Sequence, residues 1–281
     1  MLRYDDLNQI SDGRLYGEND MVCAGTNGCA GCSKCCESDM GTSIVLTPYD
    51  MYELTVATGR SFDELLTVFI IELSMMDGII LPNLKMSEGC AFLKNGRCEI
   101  HAHRPGICRL FPLGRIYVGR TAEADKKTAT EFKYFLQTKE CSVKNKTEVR
   151  VSDWLGIDDL EKNTAFINKW HRFIDFEKRK VNTIREMADN EIKRLETISE
   201  KDLEVYAGIF GEADIFEIKG YEEYKQEKID KEKEACDEDI KKVLKTVIAY
   251  FYLDKYDIDS DFYQQFDARL KKCLAAMKGK K

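Results

Sequence analysis

The sequence predicts a mainly α-helical fold with a small β hairpin, in which a cysteine-rich N-terminal portion packs with a helical C-terminal portion. Three observations predict it. The four prolines, Pro48, Pro82, Pro105 and Pro112, all fall in the first 112 of 281 residues. Nine of the 11 cysteines lie between Cys23 and Cys141. Beyond about Val151, apolar residues recur at three- and four-residue steps with charges between them, the signature of amphipathic helices. The predicted division is a cysteine-cluster domain over residues 1–150 and a helical domain over residues 151–281. A hydrophobic fraction of 43% is enough for a packed core.

The elements follow in order. In "LTPYD", Thr47 can cap a helix, Pro48 takes its first position and Asp50 its third, where a carboxylate meets free N–H groups. "SFDELLTVFIIELSMM" repeats the device with Ser61 and Glu64, and Phe62, Leu65, Leu66, Phe69, Ile70 and Leu73 then line one helical face. "GRIYVGR" and "TEFKYFLQ" are rich in aromatic and β-branched residues, and they predict a short antiparallel pair that carries the chain from Cys108 towards Cys141. A long helix takes Ile167, Trp170, Ile174, Val181, Ile184, Ile192, Leu195 and Ile198 on one face. Ser199 and Asp202 have capping-box spacing and start another. A third runs through Ile240, Val243, Leu244, Val247, Ile248 and Phe251. The last aligns Phe262, Phe266, Leu270, Cys273 and Leu274.

Composition narrows the function classes. The formal net charge is −7, with acids and bases interspersed. Nucleic acid is not an expected partner, because phosphate binding wants a basic stripe. No apolar run reaches the roughly 20 residues that a membrane span needs, and the first residues lack the pattern of a secretory signal. The expectation is therefore a cytoplasmic protein with no membrane partner. Disulfides do not persist in a reducing cytosol, so a spaced cysteine cluster there reads as metal-binding or catalytic.

The cysteines form two groups. The first is Cys23, Cys29, Cys32, Cys35 and Cys36, which contains C-x2-C-x2-CC. The second is Cys90, Cys98 and Cys108, followed by Cys141. Two-residue spacing lets both thiols of a pair approach one ion from a tight turn. A zinc ion or an iron–sulfur cluster typically takes four cysteines, so nine thiols could fill two sites with one left over, or one site with several spare. Adjacent Cys35 and Cys36 diverge in direction, which implies two sites, or one ligand and one spare thiol. Cys23 is the weaker member of its group. His101, His103, Arg104 and Arg109 surround Cys108 with positive charge that favours thiolate and could hold an anion. The plainer alternative is that the arginines pair with surface acids. His101 is a further ligand candidate. Cys236, Cys273 and His171 sit in helical stretches and read as packing residues.

The run "CAGCSKCC", then "LTPYD", then "CAFLKNGRCEIHAHRPGICRLFPL" and a final cysteine after a β pair, resembles the YkgJ cysteine-cluster family, grouped as a zinc- or iron-chelating domain. The resemblance covers roughly residues 29 to 141. Ser33 stands where the family often has glycine. The resemblance implies metal binding, with Cys29, Cys32, Cys35, Cys36, Cys90, Cys98, Cys108 and Cys141 as ligands. It extends to proteins similar to the flagellin lysine N-methylases, which implies an iron–sulfur cluster, S-adenosylmethionine as a second cofactor, and a protein substrate or partner. No glycine-rich strand-to-helix fingerprint marks a nucleotide fold.

Thiolates suit both zinc and iron–sulfur clusters. The seven- and nine-residue spacings of the second group fit an iron–sulfur cluster better than paired zinc ligands do. The alternative is a zinc-binding structural or metal-handling protein without catalytic activity.

Overall fold

The computed structural model describes residues 7–29, 32–117 and 132–278. It is 57% helical with several small antiparallel sheets, in keeping with the predicted class. The strands are β1 (Met21–Gly25), β2 (Ser43–Val45), β3 (Ile71–Met76), β4 (Ile79–Lys85), β5 (Leu93–Lys94), β6 (Arg97–Cys98), β7 (Leu113–Tyr117), β8 (Phe132–Leu136) and β9 (Thr147–Arg150). The helices are α1 (Leu7–Ile10), α2 (Pro48–Thr58), α3 (Phe62–Thr67), α4 (Gly106–Leu110), α5 (Val151–Leu155), α6 (Leu160–Thr197), α7 (Glu200–Ile209), α8 (Ala213–Ile248) and α9 (Phe262–Met277).

By contact the chain divides into two compact units. One comprises Met1–Ser74, Leu81–His171 and Phe251–Leu270, and the other Met75–Ile80, Arg172–Tyr250 and Lys271–Lys281. All the cysteines of the two predicted groups fall in the first unit.

In the first unit, β1 pairs antiparallel with β9, Val22 opposite Val149, so the ends of the cysteine-bearing segment are clasped together. Strand β7 pairs antiparallel with β8, Leu113 opposite Leu136 and Tyr117 opposite Phe132. This is the predicted pair, although Val118–Arg120, Thr130 and Glu131 of its quoted stretches lie outside the described residues. The caps are also as read. Thr47 and Asp50 form a capping box at the start of α2, with Pro48 in the first turn, and Ser61 and Glu64 form another at the start of α3.

The segment after α3 corrects the expectation. The helix stops at Thr67, Phe69 takes a left-handed backbone (φ 58°) and is exposed, and residues 71–76 form β3. The turn between β3 and β4 explains why. Asp77 and Gly78 both have positive φ, 50° and 81°, the geometry of the tightest hairpin turn, which matches strand twist and favours an Asp-Gly pair. Pairing with β4, which is itself paired with β2, overrides the helical spacing that ran on to Leu73.

Segments from late in the chain complete the first unit. Tyr49 on α2 meets Phe262 edge-on at 5.1 Å between ring centres, and Phe166 meets Phe266 at 4.7 Å. Aromatic pairs of this kind contribute roughly 0.5–1.5 kcal/mol each beyond their area burial. The Tyr252 hydroxyl donates to the Leu46 carbonyl at 3.0 Å, fixing the strand-to-helix corner that precedes Thr47.

In the second unit, Leu195, Leu203, Ala207, Tyr224 and Ile229 form one buried cluster from α6, α7 and α8. Ser199 caps α7, accepting from the Asp202 N–H as its spacing predicted. Cys273 is fully buried, a packed thiol rather than an accessible one. Among the described residues no helix is long and apolar enough to cross a membrane.

Candidate metal centre

The local backbone explains how so many thiols come together. Cys29 lies at the end of a tight turn with φ 56°, an uncommon conformation for a residue with a side chain. Its Sγ stands 3.1 Å from Thr26 Oγ1. The Cys32 N–H donates to the Cys29 carbonyl at 3.1 Å, closing the first C-x2-C loop. Cys35–Asp39 then form a π-helical turn, a geometry frequent at functional sites. The Ser33 carbonyl accepts from the N–H groups of Cys36 and Glu37 at 2.8 and 3.0 Å, anchoring this turn through the main chain.

The second group is joined to the first through the main chain. The Cys90 N–H donates to the Cys36 carbonyl at 2.8 Å. Cys98 closes the β5–β6 hairpin opposite Leu93, and Cys108 lies on α4.

These elements enclose one cavity of about 790 Å³. Cys29, Cys32, Cys35, Cys36, Cys90, Cys98, Cys108 and Cys141 all line it, so the eight sequence-predicted ligands share a single space. Cys23 does not. It is exposed, and its Sγ donates to the Lys146 carbonyl at 3.4 Å.

Burial keeps several of these thiols protonated. Cys36 is pushed up to about 12, first by desolvation and then by the neighbouring thiols of Cys90, Cys98, Cys29 and Cys32. Cys108 lies well above the ordinary thiol range for the same first reason, followed by the proximity of Cys90, Asp50, Cys36 and Cys98. The shifts thus couple Cys36 to thiols of both sequence groups, Cys29 and Cys32 as well as Cys90 and Cys98. Among the described residues no three His, Cys, Asp or Glu side chains stand close enough together to hold a single ion. The chemistry of the donor set nevertheless fits a thiophilic metal: soft sulfur ligands in a partly desolvated site select zinc or iron–sulfur centres.

A polar wall adjoins the thiols; the sequence names its histidines, arginines and Asp50 but not how they are paired. Asp50 is buried, and burial raises its carboxyl above the usual range while hydrogen bonds from Gly106 and Thr47 oppose the shift. Its Oδ1 accepts from the Gly106 N–H at 2.6 Å. Arg109 does not pair with a surface acid. It is 5% exposed, and its guanidinium donates to the carbonyls of Arg104 (3.0 Å), Gly156 (2.8 Å) and Ala102 and to Glu53 Oε2 (3.2 Å). Glu53 Oε2 also lies 3.1 Å from His103 Nδ1. Arg104 donates to the His101 carbonyl at 2.7 Å and approaches His101 Nδ1 at 3.3 Å. Tyr49 and Glu53 were not singled out from the sequence. Glu53 lies three residues from Asp50 and four from Tyr49 along α2, and that spacing was the available signal, since such residues share a helix face.

Residues 28–141 match a family model, CxxCxxCC, described as a "putative zinc- or iron-chelating domain". No curated protein and no solved structure matches the chain.

Proposed function

Because residues 28–141 belong to this zinc- or iron-chelating cysteine-cluster family, we propose that the cavity holds an iron–sulfur centre bound by its cysteines. One observation carries the reading: eight thiols from separate loops line a single space of about 790 Å³. A zinc ion and an iron–sulfur cluster each take four cysteines, and the irregular seven- and nine-residue spacings of Cys90, Cys98 and Cys108 favour a cluster over paired zinc ligands. Cys29, Cys32, Cys35, Cys36, Cys90, Cys98, Cys108 and Cys141, which line the cavity, are the residues that would hold the centre. When bound, such a centre supplies electron transfer or Lewis-acid chemistry. The chain's own residues supply a desolvated, partly cationic wall, in which Arg109 is locked on backbone carbonyls and Arg104, held on the His101 carbonyl, lines the same cavity as the thiols.

The narrower activity that accompanies this reading is S-adenosylmethionine-dependent methylation of a lysine on a protein substrate, which rests on the resemblance of the cysteine motifs alone. The test is metal and acid-labile sulfide content with a visible spectrum, on protein purified without oxygen. Iron with stoichiometric sulfide and a broad charge-transfer band is the expected result, and would justify assays with S-adenosylmethionine and candidate peptides. A colourless protein containing only zinc overturns both the iron–sulfur and the methylation readings in favour of a structural site.

A further inference from the structure

The hairpin formed by α7 and the start of α8 carries an exposed apolar surface. Of the 16 large hydrophobic side chains exposed among the described residues, five flank this single turn: Val205, Ile209 and Phe210 before it, Ile215 and Ile218 after it. Ile209 is 74% exposed and Ile218 84%. Val205 and Ile209 lie four residues apart and share one face of α7, opposite Leu203 and Ala207, which belong to the buried cluster beneath. The turn is held from inside its own unit. Gly211 reverses the chain with φ 72°, and Glu212 accepts from the Tyr224 hydroxyl and pairs with Lys228. The Tyr221 hydroxyl donates to the Ile198 carbonyl at 2.7 Å, tying the start of α8 to the end of α6.

Charge narrows what can cover this surface. Residues 199–223 hold eight carboxylates and two lysines, a net −6 against −7 for the whole chain. Internal pairing neutralises part of it, since Lys228 meets Glu212 and Lys225 meets Glu222. Glu200, Glu204, Asp214, Glu217 and Glu223 are exposed and form no ion pair among the described residues. Three of them sit directly beside the apolar side chains, Glu204 before Val205, Asp214 before Ile215 and Glu217 before Ile218. A second copy docked face to face would set these carboxylates against their own kind, and like charges across an interface suppress pairing. A membrane of anionic headgroups is repelled for the same reason.

We propose that the α7–α8 hairpin is a docking surface for a cationic amphipathic helix of a protein partner. The apolar stripe of such a helix covers Val205, Ile209, Phe210, Ile215 and Ile218, and its lysines or arginines meet the free carboxylates around them. The proposal stands apart from the metal centre, whose residues belong to the other unit.

The test uses the full chain and a fluorescent synthetic helical peptide with a leucine stripe and lysines elsewhere, read by anisotropy. One control peptide has serine in place of the leucines, the other glutamate in place of the lysines. The expected result is binding that weakens as salt rises, with both controls bound roughly tenfold more weakly or worse. Hydrogen-exchange protection by the peptide should centre on residues 199–223, which locates the site without any variant. Ile209→Ser with Ile218→Ser, and separately Glu204→Lys with Glu217→Lys, should each cut affinity about tenfold and leave the unfolding midpoint unchanged, because all four side chains are exposed. A wild type that does not bind the peptide, a footprint elsewhere, or wild-type affinity in both double variants overturns the proposal. So does a dimer seen by sedimentation that Ile209→Ser with Ile218→Ser disperses, which would make a second copy the occupant. Binding to phosphatidylglycerol vesicles that the same variant abolishes would make it a membrane, and overturns the proposal equally.

Discussion

Asp50 Oδ1 accepts a 2.6 Å hydrogen bond from the Gly106 N–H, fastening the start of α2 to the start of α4 two residues ahead of Cys108. The other carboxylate oxygen, Oδ2, accepts from the Thr47 N–H and hydroxyl, each at 2.8 Å. One buried side chain thus caps a helix and places a predicted ligand. Asp50→Ala removes both roles and is expected to cost about 2–4 kcal/mol, a lost cap together with an orphaned buried donor. Metal content should fall with it. A denaturant midpoint equal to wild type would count against this role.

Arg109→Lys tests the buried guanidinium. A lysine ammonium has three donors on a flexible stem and cannot reproduce a planar fork shared among three carbonyls and Glu53. The expected loss is about 3 kcal/mol, since the change leaves buried acceptors and a carboxylate short of partners. Chemical denaturation of the two proteins side by side measures it, and a loss below 1 kcal/mol would mean that Arg109 is not the lock described.

Cys32→Ser and Cys108→Ser are expected to lower metal content and destabilise the fold. Cys273→Ser and Cys23→Ser are expected to leave metal content unchanged, because Cys273 is buried in the other unit and Cys23 lies outside the cavity. Metal analysis of the four variants decides the matter. Equal loss in all of them would sink the ligand assignment.

Glu177 predicts a pH dependence. It is fully buried on the apolar face of α6, and among the described residues neither carboxylate oxygen has a hydrogen-bond partner. Burial raises it from 4.5 to about 8, with Lys178 opposing the shift. In the unfolded chain the group ionises near 4.5, so between about 4.5 and about 8 the unfolded chain sheds a proton that the folded chain keeps. Stability therefore falls as pH rises through that window, by on the order of 4 kcal/mol, and levels off above it. Glu177→Met should flatten the dependence. Unfolding midpoints at pH 5 and pH 9 for both proteins are the measurement, and parallel changes in the two would refute the prediction.

What the sequence revealed was chiefly local. The boxes at Thr47 and Ser61 and the serine cap at Ser199 were legible because a cap needs only two residues at fixed spacing, and the β7–β8 pair was legible from its composition. That eight cysteines share one cavity followed from the family resemblance; their spacing gave two groups and left the number of sites open. The strand Ile71–Met76 was missed because its apolar residues also satisfy a helical step, and the informative signal was the Asp77–Gly78 turn beyond it. The polar wall was illegible for a different reason. Arg109 is held by Gly156, 47 residues away, and Asp50 by Gly106, 56 residues away. No periodicity records partners at such separation. The arginines consequently looked like surface residues, although one of them is buried.

The aromatic support of α2 carries a consequence for timing. Tyr49 rests on Phe262 and Tyr263, and Tyr52 donates to the Ile258 carbonyl, so the helix that bears Asp50 and Glu53 is backed by residues translated some two hundred positions later. During synthesis the cysteines leave the ribosome long before that backing exists. A nascent chain halted before residue 251 lacks the aromatic backing of α2, so the helix that carries Asp50 and Glu53 reaches its final support only after nearly the whole chain is made.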